Sequence, residues 1–196
     1  FLTRLTQSKM SVHRLVAVEL VGKVLSDDWL WFEHGSSTVD TPLKKSSSSS
    51  NSSSNVALAL MQSLQGRLVD KSPSVRAATA TAFAELCKLD EPRGLVSALS
   101  HEADEMLEDL RQRATKDEKA TVRRAACMAL IEIVVQNVET EDDITILMGL
   151  CQDSSVNTRK AAAEGLTRLL ECRSSSRLVN AWSSSVLIMV LDSDTS

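Results

Sequence analysis

An aspartate followed six residues later by an arginine recurs three times along the chain. The stretches read DKSPSVRAATATAFAEL at 70–86, DEKATVRRAACMALIEI at 117–133 and DSSVNTRKAAAEGLTRL at 153–169. A carboxylate and a guanidinium form charge-assisted, often bidentate hydrogen bonds, and a guanidinium also suits phosphate. A ligand site would not need its own acid in every copy, so the spacing favours ion pairs between neighbouring repeats over an anion site. The predicted ladder consists of Asp70, Arg76, Asp117, Arg123, Asp153 and Arg159, with Arg14 in a degenerate first copy.

Small and apolar residues follow each arginine at helical spacing. Taking the arginine as zero, they stand at +2, +3, +6, +7 and +10, which on an α-helix make one broad apolar stripe. In the second stretch these residues are Ala125, Ala126, Ala129, Leu130 and Ile133. Around Arg14 the same offsets give Val16, Ala17, Leu20, Val21 and Val24, and Ser8 takes the place of the aspartate. Each stretch therefore predicts one amphipathic helix.

Another amphipathic run precedes each signature, at 56–69, 103–114 and 143–151, and one more follows at 178–191. The predicted unit is helix A, a turn that contains the aspartate, and helix B that carries the arginine. The intervals between successive arginines are 62, 47 and 36 residues. Helical hairpins of roughly 40–47 residues are the period of HEAT-type repeats. We predict an all-α fold, a HEAT/armadillo-like α-solenoid of antiparallel helix pairs.

These patterns divide the chain into four predicted segments. Residues 1–34 are expected to hold a degenerate HEAT repeat, comprising helix B and an aromatic segment. Residues 35–55 are expected to be a disordered loop, because their serine tract cannot bury apolar area, and Ser54 or Asn55 would cap the next helix. Residues 56–191 predict three repeats plus the first helix of a further one, and 192–196 a truncated turn. The chain begins without Met and stops after an apolar run, so we expect it to be part of a longer protein.

Further basic residues lie outside the predicted ladder. Arg124 and Lys160 each directly follow a ladder arginine and fall off the apolar stripe. A basic strip on adjacent repeats could contact DNA backbone or an acidic peptide, since phosphate contacts need only placed charge. The alternative is an ordinary solvated face, offset by nearby carboxylates. The candidate partner-binding residues are Arg111, Arg113, Lys116, Lys119, Arg124 and Lys160.

The residues that would support catalysis or metal binding are scattered. His13, His34 and His101 have no second ligand at helical spacing, and no glycine-rich phosphate loop is present. The four cysteines form no C-x-x-C pair and are expected to be buried, reduced thiols. We therefore expect no catalytic, metal or cofactor site, no small-molecule substrate and no membrane partner. The aromatic residues Trp29, Trp31 and Phe32 suit either packing, which we favour, or a pocket for a methylated lysine.

The runs LVDKSPSVRAATATAFAEL, RATKDEKATVRRAACMALIEIV and GLCQDSSVNTRKAAAEGLTRLL resemble the D-type HEAT subunits of condensin, in their condensin II form. The resemblance covers about residues 60–196 and is most specific at DEKATVRRAA. It implies a non-catalytic regulatory subunit that binds the kleisin chain and SMC ATPase subunits, engages DNA and histone tails, and acts in the nucleus on mitotic chromosomes. The alternatives are an importin-like or phosphatase-scaffold HEAT protein, and a HEAT-like lyase, for which the sequence offers no nucleophile.

Overall fold

Alternating helices run through the described part of the chain. The computed structural model describes residues 1–26, 50–88, 102–136, 141–173 and 175–193. Within these ranges all regular secondary structure is α-helical, which confirms the predicted all-α class. The helices are α1 (Leu2–Thr6), α2 (Ser11–Ser26), α3 (Ser50–Gln65), α4 (Pro73–Lys88), α5 (Glu102–Lys116), α6 (Ala120–Gln136), α7 (Glu141–Leu150), α8 (Val156–Cys172) and α9 (Ser176–Ser193).

Four helix pairs follow one another, α1–α2, α3–α4, α5–α6 and α7–α8, and α9 continues the series. The second helices of the pairs pack directly on one another, α2 on α4, α4 on α6 and α6 on α8. One apolar cluster runs through the stack and includes residues of the first helices, such as Leu64, Leu110 and Leu147. This layering is expected of a solenoid, in which each hairpin buries its apolar face only against its neighbours. None of the described helices is long and apolar enough to cross a membrane.

Two positions of the apolar stripe are buried in every copy of the second helix. At +3 stand small residues, Ala17, Thr79, Ala126 and Ala162. At +7 stand larger ones, Val21, Phe83, Leu130 and Leu166. A small residue at one level leaves room for a large one at the next, so adjacent second helices interdigitate at close packing.

Glycine and alanine set how closely the second helices approach. A Cβ atom added at Gly165 of α8 would clash with Cδ1 of Ile131 of α6, and one added at Gly22 of α2 would lie 3.0 Å from Cβ of Ala82 of α4. The missing side chains therefore let these helices lie against each other with no gap. Close contact in turn fixes where each turn lies relative to the next.

The boundaries differ from the sequence expectations at three places. Helix α3 begins at Ser50, so the predicted loop at 35–55 is wrong for its last six residues. These residues are serine and asparagine, which cost a helix only about 0.5 kcal/mol each relative to alanine. The same helix ends at Gln65, and 66–69 form a turn in which Leu68 is buried and Val69 is exposed. Helix α9 runs to Ser193, two residues into the predicted turn at 192–196. Trp29, Trp31 and Phe32 and residues 35–49 lie outside the described residues.

The first repeat also differs in its buried face. The short helix α1 precedes Ser8, where the sequence pattern predicted only a second helix. Val16 and Leu20 were expected in the core but are 46% and 41% exposed, whereas Val18 and Leu25 are fully buried. The cause is the place of α2 in the stack, because the +6 level of a second helix faces the preceding one, as Gly165 faces Ile131. Among the described residues no second helix precedes α2, so this face stays exposed, whereas +4 and +11 are buried as they are in α4 and α6.

Candidate interaction site

The turn aspartates and helix arginines meet across repeats. Arg76 of α4 donates from Nε to Oδ2 of Asp117 at 2.7 Å and from Nη2 to Oδ1 at 2.9 Å. The two residues are 41 positions apart in sequence. The same bidentate geometry joins Arg14 to Asp70 at 2.7 and 2.8 Å and Arg123 to Asp153 at 2.7 and 2.9 Å. Each pair links the second helix of one repeat to the turn of the next.

Backbone hydrogen bonds fix both partners of the ladder within their own turn. The carboxylate of Asp117 accepts from the amide of Lys119 at 3.0 Å, and Asp70 and Asp153 accept from Ser72 and Ser155 at 2.8 Å. Each arginine also donates from Nη1 to the carbonyl oxygen six residues earlier. These carbonyls belong to Ser8, Asp70, Asp117 and Asp153, at 2.8, 2.8, 2.9 and 2.7 Å. The six-residue spacing is therefore the reach of a guanidinium back to its own turn.

The central pair of the ladder is the most deeply buried one. The side chains of Arg76 and Asp117 are 8% and 0% exposed, against 11% and 9% for Arg123 and Asp153. Burial alone would raise the pKa of Asp117, but hydrogen bonds from Arg76 and the Lys119 amide and the charges of Arg76 and Arg113 outweigh it, so the pKa is lowered. For Asp153 the hydrogen bond from Arg123 is the largest influence, and the pKa is again lowered.

Asp70 follows the same pattern with an additional cation. Burial would raise its pKa, and the hydrogen bond from Arg14, the Ser72 amide and the charges of Arg14 and Arg67 together lower it. Arg67 lies 3.0 Å from the same carboxylate.

At the C-terminal end of the ladder, Arg159 donates to the carbonyls of Asp153 and Ser154, and no carboxylate among the described residues accepts from it. The paired groups satisfy each other and leave little capacity for a ligand.

Two of the six candidate partner-binding cations are engaged inside the chain. Arg111 of α5 donates from Nε to Oδ1 of Asp143 of α7 at 2.8 Å, and that carboxylate is 3% exposed. Arg113 lies 3.5 Å from the carboxylate of Asp117 and so adds to the ladder. The expectation that both present free charge is corrected by the packing of α5, which turns Arg111 toward α7 and Arg113 toward its own turn. Lys116 and Lys119 are exposed beside that turn.

The remaining two candidates, Arg124 and Lys160, line one groove between α6 and α8. Its volume is about 280 Å³. Both side chains are exposed, and each lies one turn inside the start of its helix. The groove is also lined by Met128, Ile131, Glu132, Asn157, Ala161, Glu164, Gly165 and Arg168. The structure thus brings together two cations that the sequence placed 36 residues apart.

An ion pair that the sequence did not predict closes the far end of the groove. Nη1 of Arg168 lies 2.6 Å from Oε1 of Glu132, and the glutamate side chain is 7% exposed. Both residues stand nine positions after a ladder arginine, and Glu85 takes the equivalent position in α4. An acid and a base at equivalent positions of successive copies are the signal that could have indicated this pair.

The thiols differ from one another in exposure. Cys87, Cys127 and Cys151 are buried as expected, but Cys172, at the end of α8, is exposed. Burial raises the pKa of Cys87 and Cys127 to about 12 and that of Cys151 to about 11. A thiol with so high a pKa is a poor nucleophile at neutral pH. Among the described residues, no group of His, Cys, Asp and Glu is arranged to hold a metal ion.

The HEAT-repeat family matches residues 61–167 and 107–188, which together make up more than half of the chain. The condensin-2 complex subunit D3-L of Xenopus laevis is 33% identical over 112 residues, a match that covers 56% of this chain and 7% of that protein. The chain thus corresponds to a small part of that relative.

Two engineered proteins of known crystal structure share the fold. One has a TM-score of 0.58 at 17% identity and is matched over 94% of this chain and 66% of its own. The other has a TM-score of 0.53 at 13% identity, over 94% and 77%. At this identity the likeness concerns the helical repeat architecture alone.

Proposed function

Because the chain belongs to the HEAT-repeat family, we propose that it is a non-catalytic scaffold segment of a condensin II regulatory subunit. In this role it binds the kleisin chain of the complex, and through it the SMC ATPase subunits, and supports contact with DNA and histone tails. The protein then acts in the nucleus, on chromosomes during mitotic condensation.

The observation that carries the proposal is the 33% identity to the condensin-2 subunit D3-L over 112 residues. The resemblance of DEKATVRRAA to the D-type subunits points to the same family. This stretch contains Asp117, the acid of the most buried pair of the ladder, and Arg124, one of the two cations of the groove. One short segment therefore carries both a structural residue and a candidate binding residue.

A scaffold role also agrees with how the charged groups are used. The ladder carboxylates are each bound by an arginine and a backbone amide. Such saturated groups are poor general acids or bases, because their pKa values are shifted away from neutrality. Stacked hairpins in turn offer an extended surface for partner chains.

Affinity purification tests the proposal. The tagged protein, expressed from its own gene in dividing cells, is expected to bring down SMC and kleisin subunits in comparable amounts. Transport receptors or phosphatase catalytic subunits in their place would contradict the proposal and favour an adaptor outside condensin. Absence of both sets would contradict it as well.

A further inference from the structure

The groove between α6 and α8 places two exposed cations beside an apolar floor. Arg124 and Lys160 are exposed, and no carboxylate in the described ranges pairs with either. Met128 is half-buried, and Ile131 and Ala161 are buried beneath them. Both cations lie one turn inside the start of their helices. Their two positive charges favour a carboxylate at this end of the groove.

This combination is not a periodic property of the solenoid. The position directly after the ladder arginine is Leu15 in α2 and Ala77 in α4, and only α6 and α8 carry a cation there. Within the described repeats, the cation pair therefore occurs only where α6 meets α8. The close approach at Gly165 brings the two helices near enough for both side chains to line one cavity.

We propose that this groove binds a peptide segment of a protein partner in which an acidic side chain neighbours an aliphatic one. The inference rests on the scaffold function proposed above and names the chemistry of the segment that the scaffold holds. The carboxylate pairs with Arg124 and Lys160, and the aliphatic side chain packs on Met128 and Ile131. The groove has a volume of about 280 Å³, just below the roughly 300–1,000 Å³ usual for small-molecule sites. We therefore expect it to hold one or two side chains of the peptide.

The acids of the groove favour a peptide over nucleic acid. Glu164 is exposed one turn beyond Lys160 and lines the same cavity. A phosphate backbone that continues along the groove from Arg124 and Lys160 would bring further negative charge beside this carboxylate, and like charges repel. A peptide places its acid at the cationic end and a neutral or basic residue beside Glu164.

Peptide selection on the purified chain tests the inference. A phage-displayed random peptide library is selected in parallel on the wild type and on two double variants with the same change in charge. One, Arg124→Glu with Lys160→Glu, reverses the groove, and the other, Lys9→Glu with Lys23→Glu, reverses exposed charge in the first repeat, outside the groove. Enriched peptides are synthesised, and their dissociation constants are measured by fluorescence anisotropy at two salt concentrations, beside a labelled duplex DNA of random sequence.

We expect enriched peptides that pair an acid with an aliphatic residue, bind wild type and control variant equally, and bind the groove variant about tenfold more weakly. Met128→Ala should also weaken them. No enrichment, or equal affinity for the groove variant, overturns the inference. Loss of DNA binding in the groove variant without loss of peptide binding overturns it too. Co-purification of SMC and kleisin subunits is measured separately. The groove inference can therefore fail while the proposed function stands, and the proposed function can fail while the groove still binds such peptides.

Discussion

Arg76 and Asp117 lie 41 residues apart in sequence and are joined by two hydrogen bonds of 2.7 and 2.9 Å, with the carboxylate fully buried. The same guanidinium reaches the carbonyl of Asp70 at 2.8 Å. One side chain thus ties a helix to its own turn and to the turn of the next repeat. Stacked repeats depend on such interfaces, because a single hairpin cannot bury its apolar face alone.

Removal of the buried acid should destabilise the chain. In Asp117→Ala the guanidinium of Arg76 stays buried without its carboxylate, and the Lys119 amide loses its acceptor. We expect the free energy of unfolding to fall by about 3 kcal/mol, as for other broken buried ion pairs. Urea denaturation followed by circular dichroism measures it. Glu19→Ala in α2 is the control, since that side chain is exposed, and equal effects of the two changes would count against the ladder.

Acid should weaken the fold through the ladder carboxylates. The pKa values of Asp70, Asp117 and Asp153 are lowered in the folded state. Their contribution is therefore complete above the unfolded value of about 3.9 and is lost as pH falls through the folded values. Asp117→Asn should be less stable than wild type at neutral pH and should approach it as pH falls below about 4.

Unfolding curves recorded at a series of pH values check this pH dependence. The variant Glu19→Gln, at an exposed position of α2, is recorded in parallel as control. A constant difference between wild type and Asp117→Asn at every pH would show that the carboxylate does not titrate differently on folding.

Thiol labelling should separate one cysteine from the other three. Cys172 is exposed, whereas burial raises the pKa of Cys87, Cys127 and Cys151 and blocks access to them. We expect one fast-reacting thiol in the native chain and four in denaturant, as measured with a chromogenic disulfide reagent at mildly alkaline pH. Cys172→Ser should abolish the fast phase. A fast phase that survives in this variant would show that a buried thiol is accessible.

A methyl group added at Gly165 should force α6 and α8 apart. Its Cβ would clash with Ile131, and overpacked cores typically lose about 1–3 kcal/mol. Gly149→Ala in α7 is the control, because nothing lies within 4 Å of its added Cβ, and there the change should stabilise by up to about 1 kcal/mol through helix propensity. Thermal unfolding distinguishes the two. The cost of Gly165→Ala should shrink when Ile131 is also changed to Ala, and an unchanged cost would locate the strain elsewhere.

Repeated local chemistry made much of this fold predictable. The aspartate, the arginine six residues later and the apolar spacing recur together. A helix and its turn could therefore be assigned in each copy, and the ladder partners by comparing neighbouring copies. The turn at Asp117 is an example, since Asp117 directly follows α5 and Arg123 lies one turn inside α6. Such consistency between levels is what specifies a fold.

Features that depend on contacts between repeats were not predictable in the same way. Val16 and Leu20 fit the apolar stripe, yet they are exposed because no described second helix packs on that face of α2. Glu132 and Arg168 form their pair between α6 and α8, which approach closely at Gly165. Arg111 looked like free surface charge because its partner Asp143 lies on a helix whose orientation no local pattern gives. Each case rests on packing between repeats, which a single sequence does not encode by spacing alone.

A double-mutant cycle on Arg76 and Asp117 tests most directly whether repeats are joined through the ladder. Unfolding free energies of the wild type, Arg76→Ala, Asp117→Ala and the double variant are compared in urea. The structure predicts a coupling energy of about 2 kcal/mol, with the second change costing little once the first is made. Additive effects, with coupling below about 0.5 kcal/mol, would show that the two side chains act independently and would contradict the account.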